Sequence, residues 1–309
     1  MDDKAKYDAA CKRLLSEKII LAWIMKSCME EFRNSDVKEI AAEYIEGQPQ
    51  VAEVPVNPDE EPSIIRGTDT EDKTLNEGIV TYDIRFHAIL PSNGEHVRLI
   101  VNIEAQGDFY PGYSVITRGI YYCSRMISSQ NGREFIDSNY QDVRKVYSVW
   151  ICLNPPDYRK NTINRYSMTE EHLVGNYREP IQHYDLLTAI MICLGNPEND
   201  NYDGVLKLLG TLLSSDISAD KKKQILYDEF DIPITRTLDK EVSEMCNLSQ
   251  TVEAKGIEKG IEKGIEKGRI EGILSSIRSL MDSMDWTIEQ AMDALKVPEG
   301  ERSKYMRQI

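Results

Sequence analysis

Residues 79–106 read IVTYDIRFHAILPSNGEHVRLIVNIEAQ, two alternating apolar runs on either side of Asn93-Gly94. Asn-Gly between such runs is a strong local hairpin signal, because the tight turn needs residues that tolerate positive φ. A turn centred there pairs Asn93 with Gly94 and, counting outward, sets Asp83 opposite Glu104. The same register sends Tyr82, Ile84, Phe86, Ala88, Leu90, Val97, Leu99, Val101, Ile103 and Ala105 to one face. That is the alternation of a ribbon with one buried side. The other face carries Asp83, Arg85, His87, Arg98, Asn102, Glu104 and Gln106, with Ile89 and Ile100 as apolar exceptions.

Directly opposed carboxylates have Cβ atoms about 4.5–5.5 Å apart and repel unless a cation lies between them. Asp83 and Glu104 are therefore expected to hold Mg²⁺, or Mn²⁺ in its place, since such ions take hard oxygen ligands and keep several waters. The backbone carbonyl of Ala105 is a further expected ligand, and Gln106, two residues beyond Glu104, points to the same side and can hold a water or a phosphate oxygen. A rival account has Arg85 neutralising both acids on an ordinary solvated strand face. A bulge near Pro91 would separate the pair by one residue.

Outward from the hairpin, residues 5–32 have the broad apolar side of a helix or helix pair that packs on a sheet. The proline- and carboxylate-rich stretch 47–78 reads as a strand-poor connection. A helix is expected over 113–129, strands over 145–153 and 163–168, a buried strand or a helix over 186–194, and helices after Asp203. On helix 113–129, Ile116, Ile120, Cys123 and Ile127 form one stripe, and Arg118, Tyr121, Tyr122 and Arg125 gather on the other side. Arginine grips phosphate in a fork and tyrosine stacks or hydrogen-bonds, so the second side is a candidate DNA-binding face. Its rival is a solvated face with cation-π contacts.

Asp and Glu outnumber Lys and Arg 52 to 37 in the 309 residues, for a net charge of −15. This argues against nonspecific coating of nucleic acid, which needs concentrated positive surface. The acidity is local. Carboxylates crowd residues 36–77, where only Lys38, Arg66 and Lys73 are basic. Between Gly112 and Tyr166 the balance reverses in favour of Arg and Lys. The six cysteines form no CxxC pair and read as reduced core thiols. The four histidines lack an HExxH spacing, and neither GxSxG nor a P-loop occurs. The longest early apolar run, 19–25, is too short to span a membrane. A cytoplasmic location without membrane partners is expected.

The run Tyr82-Asp83-Ile84, the hairpin, Val101-Asn102-Ile103-Glu104-Ala105-Gln106, then Pro111-Gly112-Tyr113 and residues 118–125 resemble the PD-(D/E)XK nuclease family transposases, also called recombination-promoting nucleases. The resemblance covers roughly residues 14–194. It implies an α/β fold with a restriction-endonuclease-like core, a mixed sheet flanked by helices, and a Mg²⁺-dependent endonuclease that hydrolyses DNA phosphodiester bonds. Asp83 and Glu104 would be its metal ligands, and Glu31, in preference to Glu30, the assisting acid of the first helix. The superfamily motif often has lysine two residues after the glutamate. Here Gln106 stands there, which can orient water but brings no positive charge. A catalytically weak DNA-binding or protein-interaction module that keeps the fold is the alternative.

The nuclease domain is expected to span 1–235 and a helical C-terminal region 236–309. From Gly256 to Gly272 glycine recurs every fourth residue, with Ile257, Ile261 and Ile265 beside it. Each glycine weakens a helix interior by about 1 kcal/mol relative to alanine. Such a segment either self-associates through its glycine-isoleucine stripes, giving a homo-oligomer, or serves as a flexible linker. Thr287 to Gln290 has the form of a capping box, and Val297-Pro298-Glu299 restarts a last helix.

Overall fold

The computed structural model describes residues 3–51, 71–74, 78–91, 98–196 and 203–309. The Asn93-Gly94 turn lies outside them, but the strands it joins do not. Nine α-helices among the described residues are α1 (Asp3–Leu15), α2 (Lys18–Cys28), α3 (Val37–Glu39), α4 (Val115–Ser128), α5 (Gly204–Leu213), α6 (Ala219–Phe230), α7 (Arg236–Met284), α8 (Ile288–Ala294) and α9 (Glu299–Met306). The strands are β1 (Gln50–Val51), β2 (Glu71–Thr74), β3 (Gly78–Thr81), β4 (Ile84–Ile89), β5 (Arg98–Asp108), β6 (Val146–Asn154), β7 (Thr162–Ser167) and β8 (Leu187–Cys193). The fold class is α/β. Six strands form a mixed sheet in the order β1-β4-β5-β6-β8-β7, and β2 pairs with β3 in a small separate ribbon.

Antiparallel β4 and β5 are in the register expected from the sequence, Ile84 with Ile103, Phe86 with Val101 and Ala88 with Leu99. β5, β6 and β8 are mutually parallel, with α4 crossing over between β5 and β6. Parallel strands are covered on both faces, which explains the almost unbroken apolar runs of β6 and β8. Segment 186–194, which the sequence left open between strand and helix, is therefore a central strand.

Side chains alternate between two cores. Ile84, Phe86, Ala88, Val101, Ile103, Val149, Ile151, Ile190 and Ile192 pack with α1, α2, α5 and α6. Ile100, Trp150, Cys152, Met191 and Cys193 face α4 on the other side. Gly119 lets α4 approach closely, since a Cβ there would lie 2.9 Å from Met191 Cε and 3.0 Å from Trp150 Nε1. Lys222, fully buried, donates to the carbonyls of Leu212 and Ser214 just past α5, satisfying groups that a helix C-terminus leaves orphaned.

Residues 79–90 do not form the single strand expected. The backbone breaks at Tyr82-Asp83 between β3 and β4, so Tyr82 turns away from the Ile84 face and packs edge-on against Tyr122 in the α4 core.

The chain divides into two compact units, Met1–Ser249 and Gln250–Ile309, a boundary later than 235 because Leu238, Val242, Met245 and Cys246 of α7 belong to the first core. The second unit has its own small core of Leu274, Ile277, Ala291, Met292, Val297 and Tyr305. Its capping box forms as read, Thr287 and Gln290 bonding reciprocally, and Pro298 precedes α9. No helix among the described residues is long and apolar enough to cross a membrane.

Candidate active site

The break before β4 leaves the Asp83 N–H without a ladder partner, and a buried backbone donor must find an acceptor. Glu104 Oε1 accepts it at 3.0 Å, while Asp83 Oδ2 accepts the Ala105 N–H at 3.1 Å. Glu104 thus clasps the Asp83 backbone and Asp83 that of Ala105, the residue after Glu104, on the C-terminal half of β5. The cation at Asp83 is one the sequence did not suggest. Lys12 of α1, itself buried, places Nζ 2.8 Å from Asp83 Oδ1 and 2.8 Å from Asp8 Oδ2. Burial pushes the Lys12 ammonium down and the charges of Asp83 and Asp8 push it up, the net shift being upward.

Glu104 is only 5% exposed. Burial, and after it the charge of Asp83, holds its carboxyl well above the usual range, while Arg118 and Lys12 oppose the rise. Arg118 comes from α4. Its guanidinium donates to the Tyr122 hydroxyl at 2.6 and 3.2 Å and to the Tyr113 hydroxyl at 2.7 Å, and lies 5.2 Å over the Trp150 ring. Trp150 is the register partner of Glu104 on β6, so the tight seat of α4 on Gly119 brings Arg118 to the carboxylates. Gln106 continues the Glu104 side of β5 and is half-buried. Arg85, the neutralising group of the rival account, lies 5.2 Å over the Tyr82 ring.

Glu31 is elsewhere. It accepts from Tyr147 Oη at 2.7 Å and from Lys145 Nζ at 3.0 Å, and Lys145 also pairs with Asp185. Lys145 stands just before the Val146–Ile100 pair, whereas Glu104 pairs with Trp150, a separation of roughly 16 Å along the strands. Tyr147 also belongs to the opposite core. The acid that the first helix does contribute is Asp8, one turn before Lys12. An Asp-Lys spacing of four on a charged helix looks like an ordinary surface pair, so nothing local marked it.

The division of α4 into faces also differs from expectation. Val115, Gly119, Tyr122, Cys123 and Met126 form the buried face, and Ile120 is 41% exposed. Arg125 is 2% exposed and donates to Tyr121 Oη, so of the four expected DNA-binding residues Tyr122 and Arg125 are buried, Tyr121 is exposed and Arg118 is half-buried. Aromatic bulk outweighed the β-branched stripe, because Tyr122 fills the space between Tyr82 and Trp150. His87 Nε2 lies 4.0 Å from Glu134.

Among the described residues no three His, Cys, Asp or Glu side chains converge as a metal-binding group. The donor chemistry nevertheless suits one divalent ion: two adjacent carboxylates, one deeply buried, offer hard oxygens. No family model, curated protein or solved structure matches the chain.

Proposed function

We propose that the chain is a Mg²⁺-dependent DNA endonuclease of the PD-(D/E)XK, recombination-promoting transposase type, built on a restriction-endonuclease-like core. The observation that carries it is the clasp in which Glu104 accepts the Asp83 N–H and Asp83 accepts the Ala105 N–H, which holds two carboxylates together where burial penalises the charge of Glu104. The order hairpin, helix, parallel strand around that clasp supports the same reading.

Asp83 and Glu104 would hold the ion, with Mn²⁺ as a substitute for Mg²⁺. A bound divalent ion supplies Lewis acidity and lowers the pKa of a bound water. Gln106 would position a water beside the carboxylates through its amide, without acting as a base. Lys12 and Arg118 provide the positive charge that position 106 lacks, facing the charge that builds on a phosphate under attack. A cytoplasmic location and self-association through the C-terminal helices belong to the same proposal; exposed Ile261 and Ile265 support the latter.

One observation favours a catalytically weak DNA-binding or protein-interaction module instead. Both oxygens of Asp83 already have partners, Lys12 and the Ala105 N–H, as in a structural ion pair. Calorimetric titration with Mg²⁺ and Mn²⁺, run beside cleavage of supercoiled DNA, separates the two. Saturable binding and cleavage, both lost in Asp83→Asn, are expected. Wild-type protein that neither binds the ion nor cuts would leave only the module.

A further inference from the structure

The C-terminal ends of β5 and β6 exit into two loops that bring aromatic rings together. Pro111-Gly112, with Gly112 at φ +95°, makes a bend between Tyr110 and Tyr113. After β6, Pro155-Pro156 leads into a short 3₁₀ turn, Asp157–Arg159, that presents Tyr158. The two loops meet: the Tyr110 and Tyr158 hydroxyls are hydrogen-bonded, and Asn154 Nδ2 donates to the Gly107 carbonyl at 3.1 Å. Tyr110 is 60% and Tyr158 73% exposed, so their rings are open to solvent. The Arg159 guanidinium lies 5.2 Å over buried Phe109 and 5.8 Å over Tyr158. Half-exposed Tyr113 accepts from Arg118, and Arg118 acts on Glu104. Ring platform and carboxylates therefore share one arginine and one end of the sheet, the end where open α/β sheets bind ligands.

We infer that Tyr110, Tyr158 and Tyr113, with Arg159 and Arg118, form a stacking platform for the unpaired bases of a DNA strand led toward Asp83 and Glu104. Exposed rings with flanking guanidiniums suit single strands, whose base faces are free. A duplex hides those faces and is gripped through many phosphates, whereas the platform brings two arginines. DNA is the polymer because the platform adjoins the site of the proposed nuclease, and to that extent the inference rests on that proposal.

The test is fluorescence anisotropy on the full chain with a labelled oligo-dT and a hairpin duplex of equal length, in EDTA so that no cleavage intervenes. The single strand should bind more tightly, with a salt slope of roughly −1.4 if each of the two arginines meets one phosphate. Tyr110→Ala/Tyr158→Ala should weaken single-strand binding by on the order of tenfold or more and leave duplex binding unchanged. Tyr110→Phe/Tyr158→Phe, which keeps the rings and removes the hydroxyl contact, should bind like wild type. Circular dichroism melts confirm the fold of each variant. Equal or tighter duplex binding, no binding to either DNA, or an alanine variant that binds like wild type overturns the inference. Platform-dependent binding without cleavage in Mg²⁺ would sink the nuclease proposal alone; cleavage without platform dependence would sink this one alone.

Discussion

The two ends of the parallel strands carry clusters of similar composition and opposite electrostatics. At the N-terminal end, Glu31 and Asp185 flank Lys145, Tyr147 donates to Glu31, and Arg165 pairs with Glu30, whose carboxyl the arginine holds below its usual range. At the C-terminal end, Asp83 and Glu104 share Lys12 and Arg118, and burial still holds Glu104 above its usual range. The first cluster has charges that answer one another and ties strands to the α2 end. The second keeps a carboxyl that the fold penalises. Proteins keep such a penalty chiefly at functional sites, which is why this end, and not the other, is the proposed site.

The largest expected effect tests that contrast directly. Asp83→Asn should reduce metal-dependent cleavage by more than the ~10–100-fold that loss of a metal's outer-layer partner costs, while far-UV circular dichroism stays unchanged. Glu31→Gln should do the reverse, leaving cleavage intact and lowering Tm, because it removes a charge-assisted bond worth about 1.5–3 kcal/mol. Comparable loss of cleavage in Glu31→Gln at unchanged Tm would erase the distinction between the two ends.

Glu104→Gln sharpens the comparison through pH. An acid whose folded pKa is raised binds more protons folded than unfolded, so its contribution falls as pH climbs from about 4.3, the unfolded value, toward the raised folded value, and stays lost above it. The amide can still accept the Asp83 N–H. The variant should therefore be inactive yet more stable near neutral pH, by about 2–4 °C in Tm for each kcal/mol recovered. A Tm lower than wild type across pH 6–8 would mean that Glu104 is a structural group like Glu31.

The smallest effect concerns the second unit. Space beside Gly260, Gly264 and Gly268 is open, so among the described residues a Cβ there meets nothing within 4 Å beyond its chain neighbours and its own helix backbone. Each replacement should favour the helix by about 1 kcal/mol. If the glycines admit a second copy, the triple alanine variant should nevertheless shift toward monomer in size-exclusion chromatography with light scattering. Wild-type protein that is monomeric at every concentration would remove self-association from the proposal.

The Asn93-Gly94 signal together with period-two alternation determined the β4–β5 register and hence the neighbourhood of Asp83 and Glu104, since a slip of one residue would have turned every apolar side chain outward. The helix of residues 113–129 and the capping box were legible because each rests on contacts within a few residues, and the strands after the helix from their runs of β-branched and aromatic residues. Tertiary structure alone decided what surrounds the carboxylates. Asp8 and Lys12 reach Asp83 from α1, far away in the chain, and Glu31 is carried to the other end by its bonds to Lys145 and Tyr147. Which face of α4 is buried depended on Trp150, Tyr82 and Met191 lying beneath it, and the meeting of Tyr110 with Tyr158 depended on β5 and β6 running parallel. Periodicity records which side of one element is apolar, but not which distant side chain will meet it, because that contact exists only once the layers have closed.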